Sequence, residues 1–378
     1  MLNKKLIVST VGTSLLTQQV TTAERSLITR SANNTEQECP QEIKTLVFDL
    51  LKRGLTERNS GDPVRIRRAS AELNGLIKLN SDRFPLPEND VHFLVATDTF
   101  QGRVTANALK DFLEQQCGST AYVYVPEKLS TIDGQHFSDG VKNLLKFFEG
   151  EQPIEGYRQA GYEIVFNLSG GFKSLQGFLN TIGQFYADRI IYIFESLSGE
   201  LIQIPRLPLS INMTCFKDNP TAFALLAAGK VYPQTDFPNV PECLLDEVDG
   251  HVILSLWGEL MWNKVKTEIF QHELLPFPRL TYNKSFERDF RDTNVPSDRV
   301  KLQEALAKVS VLFERNNGST ASLKTDGGIL YEDLSAIYQG QPIGHFRVGI
   351  GPRVSCIAEN GELTLRHYGA HDDVIKNP

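Results

Sequence analysis

The sequence predicts three parts: an α/β front half on a doubly wound, mostly parallel sheet, a small winged-helix-like connector, and an α+β domain at the C-terminal end. Three observations carry this. Apolar runs of strand length alternate with helical patterns from Lys5 to about residue 205, the order that βαβ units impose. Breaks at Pro205–Pro208 and Pro276-Phe277-Pro278 change the character of the chain twice. After the second break, two helical stretches precede three short strands joined at Gly-Pro and Asn-Gly turns, the pattern of an antiparallel meander. The boundaries fall at 1–205, 206–276 and 277–378.

In order, Lys5–Leu16 opens with a buried-type strand and a Ser/Thr/Gly turn. Ser9, Thr10, Thr13 and Ser14 surround Gly12. Their hydroxyls suit ribose or phosphate oxygens, but taken singly they read first as the cap of the following helix. Residues 31–85 read as helix with polar connections, and Arg65, Arg67 and Arg68 as a solvated face. Val91–Gly102 repeats the arrangement, with a turn at Thr97-Asp98 and a helix from Ala106 to Phe112. A strand at Tyr122–Val125 and a helix at Val141–Phe148 follow.

Tyr162–Phe166 is a strand that enters Asn167-Leu-Ser169-Gly170-Gly171-Phe172-Lys173, and Leu175, Phe178, Leu179 and Ile182 mark a helix beyond it. The two glycines let a ligand approach the backbone. Free N–H groups at the helix start favour an anion, and Lys173 adds a positive charge. Locally, a plain tight turn explains the pattern as well. Arg189–Glu195 is another buried run, and Leu201–Ile204 pairs with it through a Ser198-Gly199 turn. Ligands of doubly wound sheets sit at the carboxyl ends of the strands. Three turns of matching chemistry fall there, which favours a nucleotide-like ligand.

In the connector, Thr221–Gly229 and Pro241–Val248 read as short helices, Gly250–Ser255 as a strand and Leu256–Phe270 as a helix. That order resembles a winged helix. Asn219–Gly250 holds one basic residue, Lys230, against five acidic ones, the reverse of a DNA-reading face. The tail carries a strand at Arg279–Tyr282, helices at Lys284–Phe290 and Arg299–Phe313, and strands at His345–Ile350, Arg353–Ala358 and Leu363–Tyr368.

Composition bounds the function. Hydrophobic residues make up 41% and charged residues 22%, as in an ordinary soluble globular chain. No apolar run reaches the roughly 20 residues of a membrane helix. The first strand leaves no room for a signal peptide, and five scattered cysteines form neither a disulfide framework nor a metal-like pairing. The expectation is a cytoplasmic protein without metal or cofactor. A net charge of -7 argues against broad non-specific duplex binding.

Three of the seven histidines, His345, His367 and His371, lie in the last 34 residues with Arg347, Arg353 and Arg366 among them. His345 and Arg347 are two apart, so they share a sheet face, and Arg353 lies across the hairpin. Such a face suits cleavage of an RNA phosphodiester, with imidazoles moving protons and arginine stabilising charge on phosphorus. A solvated face in which 13 basic residues balance 13 acidic ones over 279–378 stands beside that reading.

Two resemblances sharpen it. Ser9-Thr-Val-Gly-Thr-Ser14, with Asn167-Leu-Ser-Gly-Gly-Phe-Lys-Ser174 about 155 residues later, resembles the CARF family of CRISPR-associated sensor domains. The resemblance implies a Rossmann-like domain that dimerises and binds a cyclic oligoadenylate, with four adenylates the expected ring. By position it implies a pocket lined by Thr10, Gly12, Thr13, Ser14, Ser169, Gly170, Gly171, Phe172 and Lys173, with Thr97 and Asp98 as further candidates.

Leu280–Phe290, Gly344–Val354 and Tyr368–Ile375 together resemble the RelE family of toxins, which cut mRNA in the ribosomal A site. The resemblance matches Arg347 and Arg353 to the family's basic residues and places His371 where an arginine is usual. Gly349 stands where a second lysine is frequent, and Ile375 where a tyrosine is often found. Acid and base roles therefore move to His345 and His371 first, and His367 next.

Together the resemblances imply a homodimeric endoribonuclease that a cyclic oligoadenylate activates on ribosome-bound mRNA, without metal. The alternatives are a CARF transcription regulator and an enzyme that only degrades its cyclic ligand. Arg366-x4-His371 also resembles the short signature of the all-helical HEPN ribonucleases.

Overall fold

The computed structural model describes residues 4–18, 20–150, 154–194, 199–338 and 340–378. The chain divides into two compact units, Met1–Leu209 and Ser210–Pro378.

The first unit holds β1 (Lys5–Thr10), β2 (Val91–Val95), β3 (Thr120–Tyr124), β4 (Glu163–Asn167), β5 (Arg189–Ile193) and β6 (Leu201–Pro205), in the order β3-β2-β1-β4-β5-β6. β1 to β5 run parallel, and β6 returns antiparallel along β5. The expected strand end at Glu195 and the turn residue Ser198 lie outside the described residues.

Continuous apolar runs form the inner strands because helices cover both faces. On one face Ile7, Leu94, Val165 and Ile191 pack with Leu73 and Leu76 of the helix Ala71–Leu79 and with Leu109 and Phe112 of the helix Phe100–Cys117. On the other, Phe148 of the helix Gly134–Glu149 meets Phe166 and Tyr186. The chain builds outward from β1 to β3, then crosses to β4 on the other side of β1. That reversal opens a crevice at the carboxyl ends of β1 and β4. Ser9 pairs with Asn167 there, so the two motif turns lie side by side.

The second unit has two sheets. β7 (Tyr232–Pro233), β8 (Leu245–Val248) and β9 (His251–Leu254) form a small antiparallel sheet, in the order β7-β9-β8. β10 (Leu280–Tyr282), β11 (Glu332–Tyr338), β12 (Gln341–Arg347), β13 (Arg353–Glu359) and β14 (Glu362–Gly369) form the larger one, in the order β10-β14-β13-β12-β11. β10 runs parallel to β14 and the other pairs are antiparallel.

Three features differ from the sequence reading. Pro241–Val248 is a 3-10 turn, Glu242–Leu244, followed by β8. Asp249 and Gly250, with φ of 52° and 73°, close the β8–β9 hairpin, and Asp-Gly favours such a turn because both residues tolerate positive φ. β11 occupies a stretch read as loop, since an exposed edge strand with an irregular register shows little alternation. Finally, 206–276 shares its apolar core with the chain that follows it. Phe216, Phe223, Trp262 and Phe270 belong to one apolar cluster with Phe277, Leu306, Phe313, Phe346 and Leu365.

Candidate ligand and catalytic sites

At the crevice the two turns pack directly on one another. A Cβ on Gly12 would stand 2.8 Å from the backbone nitrogen of Gly171, and one on Gly171, whose φ is +92°, would stand 2.8 Å from the Thr10 Cβ. Thr10, fully buried, donates its hydroxyl to the Gly170 carbonyl. These glycines are required by loop-on-loop packing.

The packing closes around Glu72, a carboxylate that the sequence reading missed. Glu72 is 1% exposed, in the first turn of the helix Ala71–Leu79. Its carboxylate accepts the Gly12 N–H at 2.8 Å and the Ser14 hydroxyl at 2.6 Å. The Ser14 oxygen in turn accepts the Ala71 N–H at 3.1 Å. A Cβ on Gly170 would fall 2.0 Å from the Glu72 Oε1. Burial pushes the Glu72 carboxyl above its ordinary range, with the Ser14 and Gly12 hydrogen bonds opposing. No local pattern separates Glu72 from any glutamate that suits the N-terminal dipole of a helix.

Gly12, expected to line the pocket, thus has its N–H already occupied. Thr13 and Phe172 are half-buried, and Lys173 is exposed with no hydrogen bond or ion pair among the described residues. Ser169 Oγ is buried and lacks a partner among the described residues. Thr97 is buried, its hydroxyl 3.0 Å from that of Thr99. Asp98 accepts from Arg103 at 2.6 Å and from the Lys128 N–H at 3.0 Å. Of the expected pocket residues, Thr13, Phe172 and Lys173 are therefore the ones whose side chains remain at least partly open, while the Ser169 hydroxyl faces inward toward Gly75.

In the second unit the register aligns Glu332, His345, Ser355 and His367 across β11 to β14. Arg347, Arg353 and Gly369 form the adjacent row. Phe346 and Val354 alternate into the apolar cluster, so the polar groups share the opposite face. The helix His371–Lys376 lies against β13 and β14, with Val374 buried.

The five candidates differ in availability. His345 is 4% exposed, its Nδ1 3.3 Å from the Glu332 carbonyl and its ring 6.4 Å from that of His371. Arg353 is 8% exposed and donates to the Gly351 and Pro352 carbonyls, each at 3.0 Å, which braces the β12–β13 loop. Burial and the neighbouring Arg347 lower its pKa, while Glu332 raises it. Arg347 is half-buried, and its side chain has no hydrogen bond or ion pair among the described residues. His371 is exposed, its Nδ1 2.9 Å from Asp372 Oδ1.

His367 is half-buried, its Nδ1 3.1 Å from Asp289 Oδ2, an oxygen that also accepts the Tyr368 N–H at 3.1 Å. Asp289, on the helix Lys284–Asp292, was missed because it sits in an unremarkable charged run. Arg366 belongs to the scaffold. It stacks over Tyr338 at 3.6 Å and donates to the Pro378 carbonyl at 3.0 Å. Its place on β14 excludes the all-helical alternative.

Two like-charged guanidiniums side by side repel one another, and a phosphate between them relieves that repulsion. With imidazoles in the next row, the face has the groups for phosphodiester chemistry. Among the described residues, no group of three or more His, Cys, Asp or Glu is placed to hold a metal ion. No helix among them is long and apolar enough to cross a membrane.

One family profile, described as CRISPR-associated protein (Cas_APE2256), matches residues 67–207, a stretch of the first unit that contains Glu72 and the Gly170-Gly171 turn. No curated protein matches the chain. The family match supports a CRISPR-associated role for this protein.

Proposed function

We propose that this protein is a ribonuclease of CRISPR defence that a cyclic oligoadenylate switches on and that cuts mRNA on the ribosome. The first unit is the sensor and works as a homodimer; Thr13, Phe172 and Lys173 meet the ligand, a ring of four adenylates. The second unit cleaves. Arg347, with Arg353 behind it, holds the scissile phosphate, and an imidazole takes the 2′-hydroxyl proton. The ligand activates by binding one arrangement of the dimer better than another.

The observation that carries this reading is the Arg347–Arg353 register pair beside a row of histidines on one sheet face. Support from the other unit comes from the two motif turns meeting at the switch point, and from the CRISPR-associated family match. The test is primer extension on a defined mRNA with ribosomes and the protein, with and without cyclic tetra-adenylate. Codon-spaced cuts that need both ribosome and ligand are expected. Equal cutting of naked RNA, or cutting indifferent to every cyclic oligoadenylate, overturns it. Cleavage should persist in EDTA once ribosome integrity is controlled.

A further inference from the structure

Resting on that reading, we infer that His367 is the general base and Asp289 its positioning residue, which sets aside the buried His345 and the exposed His371. Asp289 Oδ2 lies 3.1 Å from His367 Nδ1 and is pinned by the Tyr368 N–H, also at 3.1 Å. A carboxylate there takes the Nδ1–H, which leaves Nε2 unprotonated and available as an acceptor. His367 is half-buried, with 29% of its side chain exposed. His345 is sealed, with 5%. His371 is oriented, among the described residues, by its sequence neighbour Asp372, itself 82% exposed, and by a ring contact with His345.

In the reaction, Nε2 of His367 takes the proton of the 2′-hydroxyl, and the 2′-oxygen bonds to phosphorus. The phosphorus–5′-oxygen bond breaks, and the departing 5′-oxygen takes a proton from solvent. The products are a 2′,3′-cyclic phosphate and a 5′-hydroxyl. Asp289 faces the imidazolium that forms, as the carboxylate of a Ser-His-Asp triad does.

The test is a double-mutant cycle on single-turnover cleavage of ribosome-bound mRNA, with the full chain and cyclic tetra-adenylate. His367→Ala should slow cleavage roughly 100-fold. Asp289→Ala should slow it at least about tenfold, and adding it to His367→Ala should change nothing further, because the two act as one unit. Were Asp289 only a brace for β14 through the Tyr368 N–H, its loss would multiply with that of His367. A multiplied loss, or an unimpaired His367→Ala protein, overturns the inference while leaving the ribonuclease reading intact. A parent protein that cuts nothing overturns the ribonuclease reading itself and the inference with it. If either alanine variant fails to fold, Asp289→Asn and His367→Gln carry the same cycle.

Discussion

Glu72 holds the crevice of the first unit together, and its removal has a calculable effect. Glu72→Ala takes away the acceptor of the Gly12 N–H and of the Ser14 hydroxyl. The buried Gly12 N–H left without a partner is destabilising by about 1–3 kcal/mol, and the half-buried Ser14 hydroxyl, which can turn to water, adds about 0.5–1 kcal/mol, so the two together come to roughly 1.5–4 kcal/mol. That is a large share of the roughly 5–15 kcal/mol that separates a folded domain from its unfolded chain.

Far-UV circular dichroism in urea measures it. Both tryptophans, Trp257 and Trp262, lie in the second unit, so their fluorescence reports that unit separately. Amide exchange at Gly12 should accelerate. A shift below about 0.5 kcal/mol with unchanged exchange at Gly12 would refute the reasoning. Glu72→Gln adds a pH signature. The native unit holds the Glu72 proton more tightly than the unfolded chain, whose carboxyl titrates near 4.5. The resulting stability is complete below that pH and lost as pH rises through the raised native value. The glutamine protein should therefore gain on the parent from pH 4.5 upward.

Three further outcomes are expected. Arg347→Ala should slow mRNA cleavage roughly 10- to 100-fold, the worth of one charge-assisted hydrogen bond to a phosphate, with an unchanged melting curve because the side chain has no partner among the described residues. Lys173→Ala should weaken binding of labelled cyclic tetra-adenylate about 3- to 10-fold without touching stability. His92, fully buried beside Lys5 and Asp90, has its pKa lowered from 6.5 to about 4, burial first and Lys5 second. It should make the first unit lose up to about 3 kcal/mol as pH falls from 6.5 to 4, and urea midpoints of His92→Gln should lack that loss.

Much of the fold was legible because its signals are local. The parallel strands are unbroken apolar runs, and Asn360-Gly361, with φ of 51° and 75°, makes the hairpin turn that its sequence implies. Asp249-Gly250 has the same turn chemistry, but the apolar spacing of Pro241–Val248 before it suits a helix equally well and masks the hairpin. β11 was not readable. Its pairing with β12 shifts register between Asp333 and Ile337, so no period of two runs through it.

The candidate sites were legible only in part, and the omissions have a common cause. The turns and the arginine–histidine face could be found because their residues are neighbours in sequence or in a hairpin register. The two carboxylates that fix them come from elsewhere: Glu72 reaches Gly12 across 60 residues and Asp289 reaches His367 across 78. Each sits on a helix laid against the end or edge of a strand, where it accepts both a backbone N–H and a side-chain donor. A local pattern shows a helical carboxylate and nothing more. Once placed, each ties a loop or strand to a helix, so the crevice turns cannot shift without breaking a buried hydrogen bond, nor the β14 histidine without breaking a half-buried one. Any rearrangement of the crevice must therefore either carry the helix Ala71–Leu79 along with Gly12 or break the Glu72 hydrogen bond, and exchange at that amide, with and without cyclic tetra-adenylate, tells the two apart.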